Sequence, residues 1–298
     1  GPGIWSIDDP AFFVPSTSPD WARPYLRIEK RPFGIDLNSL GTGGEKVGIE
    51  RYLAGDLAIP ERGLKTLRGL YDASVRAADF SFGQILEAWT ARFPEGIVIV
   101  ASDHGEAFGE HRLIEHRHGV YPEELRVPLV FAAPRRIAAG QRIAAPAKLE
   151  SIYATILDLA GIEQTAGSLL RFVTEIDASG AKQPSGAETQ QPIHAAVWPN
   201  QGLSERVGGR FSKLWFQFRE AGDAVILSDS GDVEIYDLES DPQMRRNLGT
   251  ESITPARAEL LQRAQSRFES VRASTSSETR IELDQQMRQQ LQSLGYGN

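Results

Sequence analysis

The sequence has no cysteine, which excludes a disulfide framework and any thiolate metal site. It also lacks any apolar run of about 18 residues or more, so no membrane-spanning helix is expected within it. Positive charge is in short supply: 32 Lys and Arg stand against 40 Asp and Glu, for a net charge of −8. Phosphate contacts need a basic surface, so no nucleic-acid partner is expected. Histidine is scarce as well, with five in 298 residues. Yet four of the five, His104, His111, His116 and His118, lie within one short stretch. Clustered imidazoles repel one another when protonated and need partners when buried and neutral, so the cluster argues for a site.

That cluster begins where a strand should end. Ile97 to Ala101 is a short apolar run rich in β-branched residues, and it reads as a strand of a mostly parallel central sheet. It stops at Ser102-Asp-His-Gly105. Open α/β sheets bind ligands at the carboxyl ends of their strands. Asp103 offers a hard carboxylate and His104 an imidazole nitrogen, while Gly105 lets the backbone turn with no side chain in the way.

Punctuation organises the rest. Residues 15–60 are rich in Pro, Gly and charge without a sustained period, and read as an irregular surface excursion. From Pro60 to Phe93 apolar residues recur at helical spacing, as one helix or two. A second strand over Val127 to Ala132 and a helix around Ser151 to Ala160 continue an α/β alternation. Residues 163–192 are polar and read as a linker or loop. Short alternating segments follow at His194–Val197, Lys213–Arg219, Ala224–Leu227 and Val233–Tyr236. The turns between them, Gly208-Gly209, Ala221-Gly-Asp223 and Ser230-Gly-Asp232, predict an antiparallel meander. Helical patterns from Pro255 to about Val271 and from Ile281 to Leu294 close the chain. The expected division is an α/β core over 1–162, the linker, and an antiparallel subdomain with terminal helices over 193–298.

Several motifs now fall in one order: Ser102-Asp-His-Gly-Glu106, Gly109-Glu-His111, His118-Gly-Val-Tyr121 and Leu125-Arg-Val-Pro-Leu129. Leu149 to Gly161, Ile235 to Pro242 and Asn247-Leu248 extend the series. Together they resemble the C-terminal part of the sulfatases of the alkaline phosphatase superfamily. The resemblance implies an alkaline phosphatase-like α/β fold, incomplete here, with a small C-terminal antiparallel sheet plus helix. It implies metal-dependent hydrolysis of a small-molecule or carbohydrate sulfate ester, with a phosphodiester or phosphonate monoester as the alternative. Asp103 and His104 would be metal ligands, for Ca²⁺ first and Mn²⁺ or Zn²⁺ otherwise. His118 would contact the anion or protonate the leaving oxygen, a role suited to a near-neutral pKa. His111 and His116 would line the substrate cleft or else hydrogen-bond within the loop. Arg126, Lys213 and His194 are read as structural, and Phe216 and Phe218 as core. A periplasmic or secreted location is what the family suggests.

Two departures qualify the resemblance. The family's formylglycine nucleophile arises from Cys-x-Pro-x-Arg or a Ser version, and neither motif occurs here. The strand ending in paired aspartates has no counterpart either. Trp5 to Pro15 resembles a family segment in which Ala11 stands where a substrate-contacting His belongs, but a proline-bounded extended segment packing its aromatics is the favoured account. The chain is therefore expected to be a C-terminal portion that does not turn over alone, with an inert fragment or binding module as the competing hypothesis.

Overall fold

The structure is a computed structural model, and it describes residues 48–162, 167–176, 182–183, 192–250 and 253–275. The excursion up to residue 47, the Trp5 to Pro15 segment, much of the linker and the Ile281 to Leu294 helix lie outside the described residues. Two compact units divide the chain, Gly1–Ile253 and Thr254–Asn298.

The first unit opens with helix α1 (Gly48–Ala54) and the long α2 (Glu61–Arg92). Pro60 precedes α2 with φ −59°, a torsion already suited to helix entry, and the helix runs unbroken for 32 residues. Several of its large apolar side chains stay exposed, Val75, Phe80, Ile85 and Trp89 among them. Strand β1 (Val98–Ala101) leads into the histidine loop, which carries the two-residue strands β2 (Ala107–Phe108) and β3 (Ile114–Glu115) and the single-turn helix α3 (Pro122–Leu125). Strand β4 (Leu129–Ala132) returns to pair with β1, and helix α4 (Ser151–Leu159) follows.

The β1–β4 pairing is antiparallel, with Ile99 opposite Phe131. A mostly parallel central sheet is not seen among the described residues, and β1 is half-buried rather than enclosed on both faces. The run of β-branched residues is a poor guide here because it encodes strand formation, not the direction of the neighbouring strand. Ala133, Leu159 and Leu170 form a small core beneath β4, joined by Phe131, Ile137 and Val173. Thr155 bonds the α4 backbone at Ser151 and accepts from the Leu169 amide at 2.9 Å, tying helix to loop. Short strands β5 (Glu175–Ile176) and β6 (Lys182–Gln183) pair beyond it.

The predicted meander is present: β7 (Ile193–Val197), helix α5 (Gln201–Arg206), then β8 (Trp215–Glu220), β9 (Asp223–Ser228) and β10 (Val233–Asp237). Its order is β10-β9-β8-β7, antiparallel throughout. The β8–β9 hairpin turns on Ala221 and Gly222, both with positive φ, as the tightest hairpins require. At the β9–β10 turn, Lys213 and then Ser228 and Ser230 hold the Asp232 carboxyl down to about 2. Both faces of this sheet are buried. Phe216, Phe218, Val225 and Ile235 lie on one, as expected for core. The other presents Trp215, Ile226 and Tyr236, which pack with Ala107, Leu113, Val120 and Tyr121 of the histidine loop. One core thus draws on residues from both sides of the linker.

The second unit is helix α6 (Pro255–Thr275), with Leu260, Ala264 and Phe268 four residues apart along one face. Among the described residues no helix is long and apolar enough to cross a membrane.

Candidate functional site

The histidine loop leaves the carboxyl end of β1 and is held by backbone pairing. The Gly105 amide donates to the Glu124 carbonyl at 2.7 Å, and a Cβ at Gly105 would stand 2.1 Å from the Glu123 carbonyl oxygen. This close approach is why glycine follows His104. Ala107 pairs with Glu115 and Phe108 with Ile114, so the hairpin register brings Glu106 opposite His116. Their side chains meet: His116 Nδ1 lies 3.1 Å from Glu106 Oε2. Four non-glycine residues between 111 and 117, His111, Arg112, Glu115 and Arg117, adopt left-handed backbone. Such clusters of strained residues mark functional loops. Helix α2 braces the far end through Arg68 paired with Glu110, and through Tyr71 edge-on to Phe108 at 5.1 Å.

The five residues singled out from the sequence separate into different environments. Asp103 is largely exposed, and its Oδ2 is 3.7 Å from His104 Nε2. His104 Nδ1 is 2.8 Å from the Gly105 carbonyl, which only accepts. Nδ1 therefore carries a proton, and in the neutral tautomer that this fixes Nε2 presents its lone pair beside the Asp103 carboxylate. The His104 ring stacks on His116, centroids 3.9 Å apart. The Glu106 hydrogen bond, outweighing burial, raises the His116 pKa above its ordinary value.

His111 has both ring nitrogens engaged, Nδ1 with Glu123 Oε1 at 2.7 Å and Nε2 with the Met244 carbonyl at 2.8 Å. Burial opposes its charge, but Glu123 and the carbonyl together raise its pKa. Its ring lies flat on Tyr121, 3.8 Å away. His118 is buried, and burial, reinforced by the nearby His116 and Arg117, lowers its pKa to about 4. The near-neutral value expected for a proton donor is therefore corrected: enclosure favours the neutral imidazole. Its Nδ1 has no hydrogen-bond partner among the described residues. The same holds for Nε and Nη2 of Arg210, whose guanidinium lies over Tyr121 and Trp215.

Sequence reasoning passed over Glu106, Glu124, Arg210 and Glu234. Glu106 was within reach, since it belongs to the Ser102–Glu106 motif and the hairpin places it across from a histidine. Glu124 and Glu234 carry no local signal, because the first matters through burial and the second through a partner far along the chain. Glu124 accepts from the His118 amide, and burial raises its carboxyl to about 7. Glu234 accepts from Tyr121 at 2.9 Å and Tyr236 at 2.7 Å, which fastens the loop to the meander. Tyr121→Phe removes one of these donors while keeping the ring stack. The expected cost is about 1 kcal/mol, seen as a thermal midpoint lower by roughly 2–4 °C. An unchanged midpoint would show that the Tyr121–Glu234 bond adds nothing to the docking.

Comparison with known proteins fits this geometry. The family model described as Sulfatase matches residues 18–162. Arylsulfatase K of Xenopus laevis is 29% identical over 195 residues, covering 63% of this chain and 34% of that protein. Arylsulfatase K of Homo sapiens is 30% identical over 196 residues, covering 62% and 34%. A sulfatase of Formosa agariphila is 26% identical over 228 residues, covering 74% and 40%. The chain thus spans between a third and two-fifths of the length of these relatives. Among solved structures, a protein in complex with its substrate D-glucosamine-2-N,6-O-disulfate superposes with TM-score 0.59 at 21% identity, over 78% of this chain and 46% of that one. The phosphonate monoester hydrolase of Agrobacterium radiobacter gives TM-score 0.54 at 20% identity, over 71% and 42%. At such identities these two likenesses speak for the fold, which is alkaline phosphatase-like. The family match spans β1, the histidine loop and α4, so this part of the chain is similar to the sulfatases.

Proposed function

We propose that the whole protein is a metal-dependent sulfuric ester hydrolase acting on a sulfated small molecule or carbohydrate, with the histidine loop forming part of its active site. The carrying observation is the Asp103 carboxylate beside the His104 lone pair at the carboxyl end of β1, inside the segment that matches the sulfatase family. Those two donors fit a divalent ion: each faces the other with an unshared pair, and the Gly105 carbonyl fixes the tautomer. The family resemblance pointed to Ca²⁺, with Mn²⁺ or Zn²⁺ as alternatives. When bound, the ion supplies Lewis-acid polarisation of the ester oxygens. The β1–β4 pair would then belong to a larger, mostly parallel sheet.

The protein's own groups do the rest. His118, neutral at pH 7, offers a hydrogen bond to the sulfate and not a positive charge. Arg210 supplies charge nearby through donors left open among the described residues. His116, with its raised pKa, is the better candidate for protonating a leaving oxygen, while His111 holds Tyr121 and Met244 in place and positions the cleft wall. The nucleophile, a formylglycine by the resemblance, has no source in these 298 residues.

The test is release of sulfate from an aryl sulfate by the whole protein, assayed beside an aryl phosphonate monoester. Sulfate release that is lost on chelation, and lost in Asp103→Asn, supports the reading. Faster turnover of the phosphonate ester would favour the alternative. No turnover of either ester by metal-loaded protein would leave the inert binding module.

A further inference from the structure

The ring of His111 stands between two acceptors. Its Nδ1 lies 2.7 Å from Glu123 Oε1 and its Nε2 lies 2.8 Å from the Met244 carbonyl. A carbonyl oxygen only accepts, and so does an ionised carboxylate, while a neutral imidazole carries a single N–H. Only the protonated ring donates to both. Negative charge close by favours that form: Glu123 from α3, Glu234 from β10 and Asp241 from the turn after β10 all act on the ring. The Tyr121 ring adds a π face, flat against the imidazole and 3° from parallel. Against these stand Arg210, over Tyr121, and Arg245 beside Asp241.

The backbone at both ends of the longer-range bond needs support. His111 has φ 49° and Met244 φ 55°, left-handed values that residues with side chains adopt at a cost. Met244 is fully buried, its sulfur 3.6 Å from Gln217 Nε2, and the same nitrogen donates to the Val120 carbonyl of the histidine loop. Gln217 and His111 thus tie the turn after β10 to the loop at two points, and of the two only His111 can change its charge.

We infer that His111 is a proton-operated latch: its doubly protonated ring fastens the histidine loop to the turn carrying Met244, and loss of one proton releases that turn. The charge-assisted bond to Glu123 is the stronger of the two, so the proton leaves from Nε2, and a lone pair then faces the Met244 carbonyl. Burial opposes the charge, but the Glu123 bond and the Met244 carbonyl raise the pKa above the ordinary 6.5. The attachment is therefore complete below 6.5 and lost as pH rises through the raised value. The latch does not rest on the hydrolase reading, because its test follows the attachment of the loop and no turnover.

The chain has two methionines, Met244 and Met287, so labelling methionine methyl groups with ¹³C gives Met244 its own NMR signal, identified by its loss in Met244→Leu. The His111 ring signal, identified by its loss in His111→Gln, gives the protonation midpoint. The expected result is a midpoint above 6.5, a Met244 methyl shift that follows the same midpoint, and no such shift in His111→Gln. Amide hydrogen exchange over residues 241–248, taken as the ratio of parent to His111→Gln, should rise from acid to alkaline pH by roughly tenfold per unit of that excess. A His111 midpoint below 6.5, or a Met244 signal that stays still between about pH 5 and 9, overturns the inference. So does a Met244 titration that persists in His111→Gln, which would assign the response to Glu124, Glu234 or Asp241. If His111→Gln fails to fold by far-UV circular dichroism, Glu123→Gln carries the comparison. It should lower the His111 and Met244 midpoints together, and a fall in one alone overturns the latch.

Discussion

Replacing Gly105 with alanine is expected to lower stability by about 2–4 kcal/mol and to disorganise the histidine loop. The new Cβ would stand 2.1 Å from the Glu123 carbonyl oxygen, 3.0 Å from its carbonyl carbon and 3.3 Å from Glu124 Cα. All three are backbone atoms, so no side chain can swing away. The loop must separate from α3 instead, losing the Gly105 to Glu124 hydrogen bond. That bond is worth about 1 kcal/mol, and overpacking of this kind costs roughly 1–3 kcal/mol. Thermal unfolding should show a midpoint lower by roughly 5–15 °C. Gly83→Ala is the matched control: it lies inside α2 with open space where a Cβ would go, and should gain about 0.5–1 kcal/mol. A Gly105→Ala protein that melts within about 1 °C of the parent would mean that β1 and α3 do not approach in this way.

A second large effect should be visible only as a function of pH. The Glu124 carboxyl is buried, and burial raises its pKa from 4.5 to about 7 despite help from the His118 and Arg117 amides. The folded state therefore holds a proton that the unfolded state has released between about pH 4.5 and 7. Where the native state binds more protons, stability falls as pH rises. From this group the fall begins near 4.5, is complete a little above 7, and amounts to roughly 3 kcal/mol at 1.36 kcal/mol per unit. Glu124→Gln cannot titrate and keeps an oxygen to accept the His118 amide. Denaturant unfolding across pH 5 to 8 should show the variant gaining on the parent by up to roughly 3 kcal/mol as pH rises. Parallel curves would falsify the claim that Glu124 is enclosed.

The sequence carried most of what positions the site. Turn chemistry at Ala221-Gly222 and alternation along β8 and β9 made the meander readable, because both signals are local. The long α2 was readable for the same reason. The end of β1 before Asp103, His104 and Gly105 was readable because a strand end followed by a turn is a pattern of a few residues. What escaped depends on neighbours distant in the chain. The partner of β1 is β4, about thirty residues on, and no periodicity encodes its antiparallel direction. His118 looked like a proton donor until its enclosure by Phe211 and the loop was known, and burial lowers its pKa to about 4, which favours the neutral ring at pH 7. His111 looked like a cleft residue, yet Met244, 133 positions away, takes one of its nitrogens.

The exposed stripe on α2 has a consequence for the chain as a colloid. At ~1.5 Å per residue, its 32 residues make a rod of about 48 Å. Val75, Ile85 and Trp89, three of its large apolar residues, stay open to water. A net charge of −8 keeps such molecules apart at low ionic strength, where repulsion reaches furthest. Salt shortens that reach to about 8 Å near 0.15 M. Sulfate, the ion released in the proposed reaction, adds a second push by strengthening apolar burial. Light scattering should therefore turn from repulsive to attractive as sulfate is added, and at lower concentrations than with chloride.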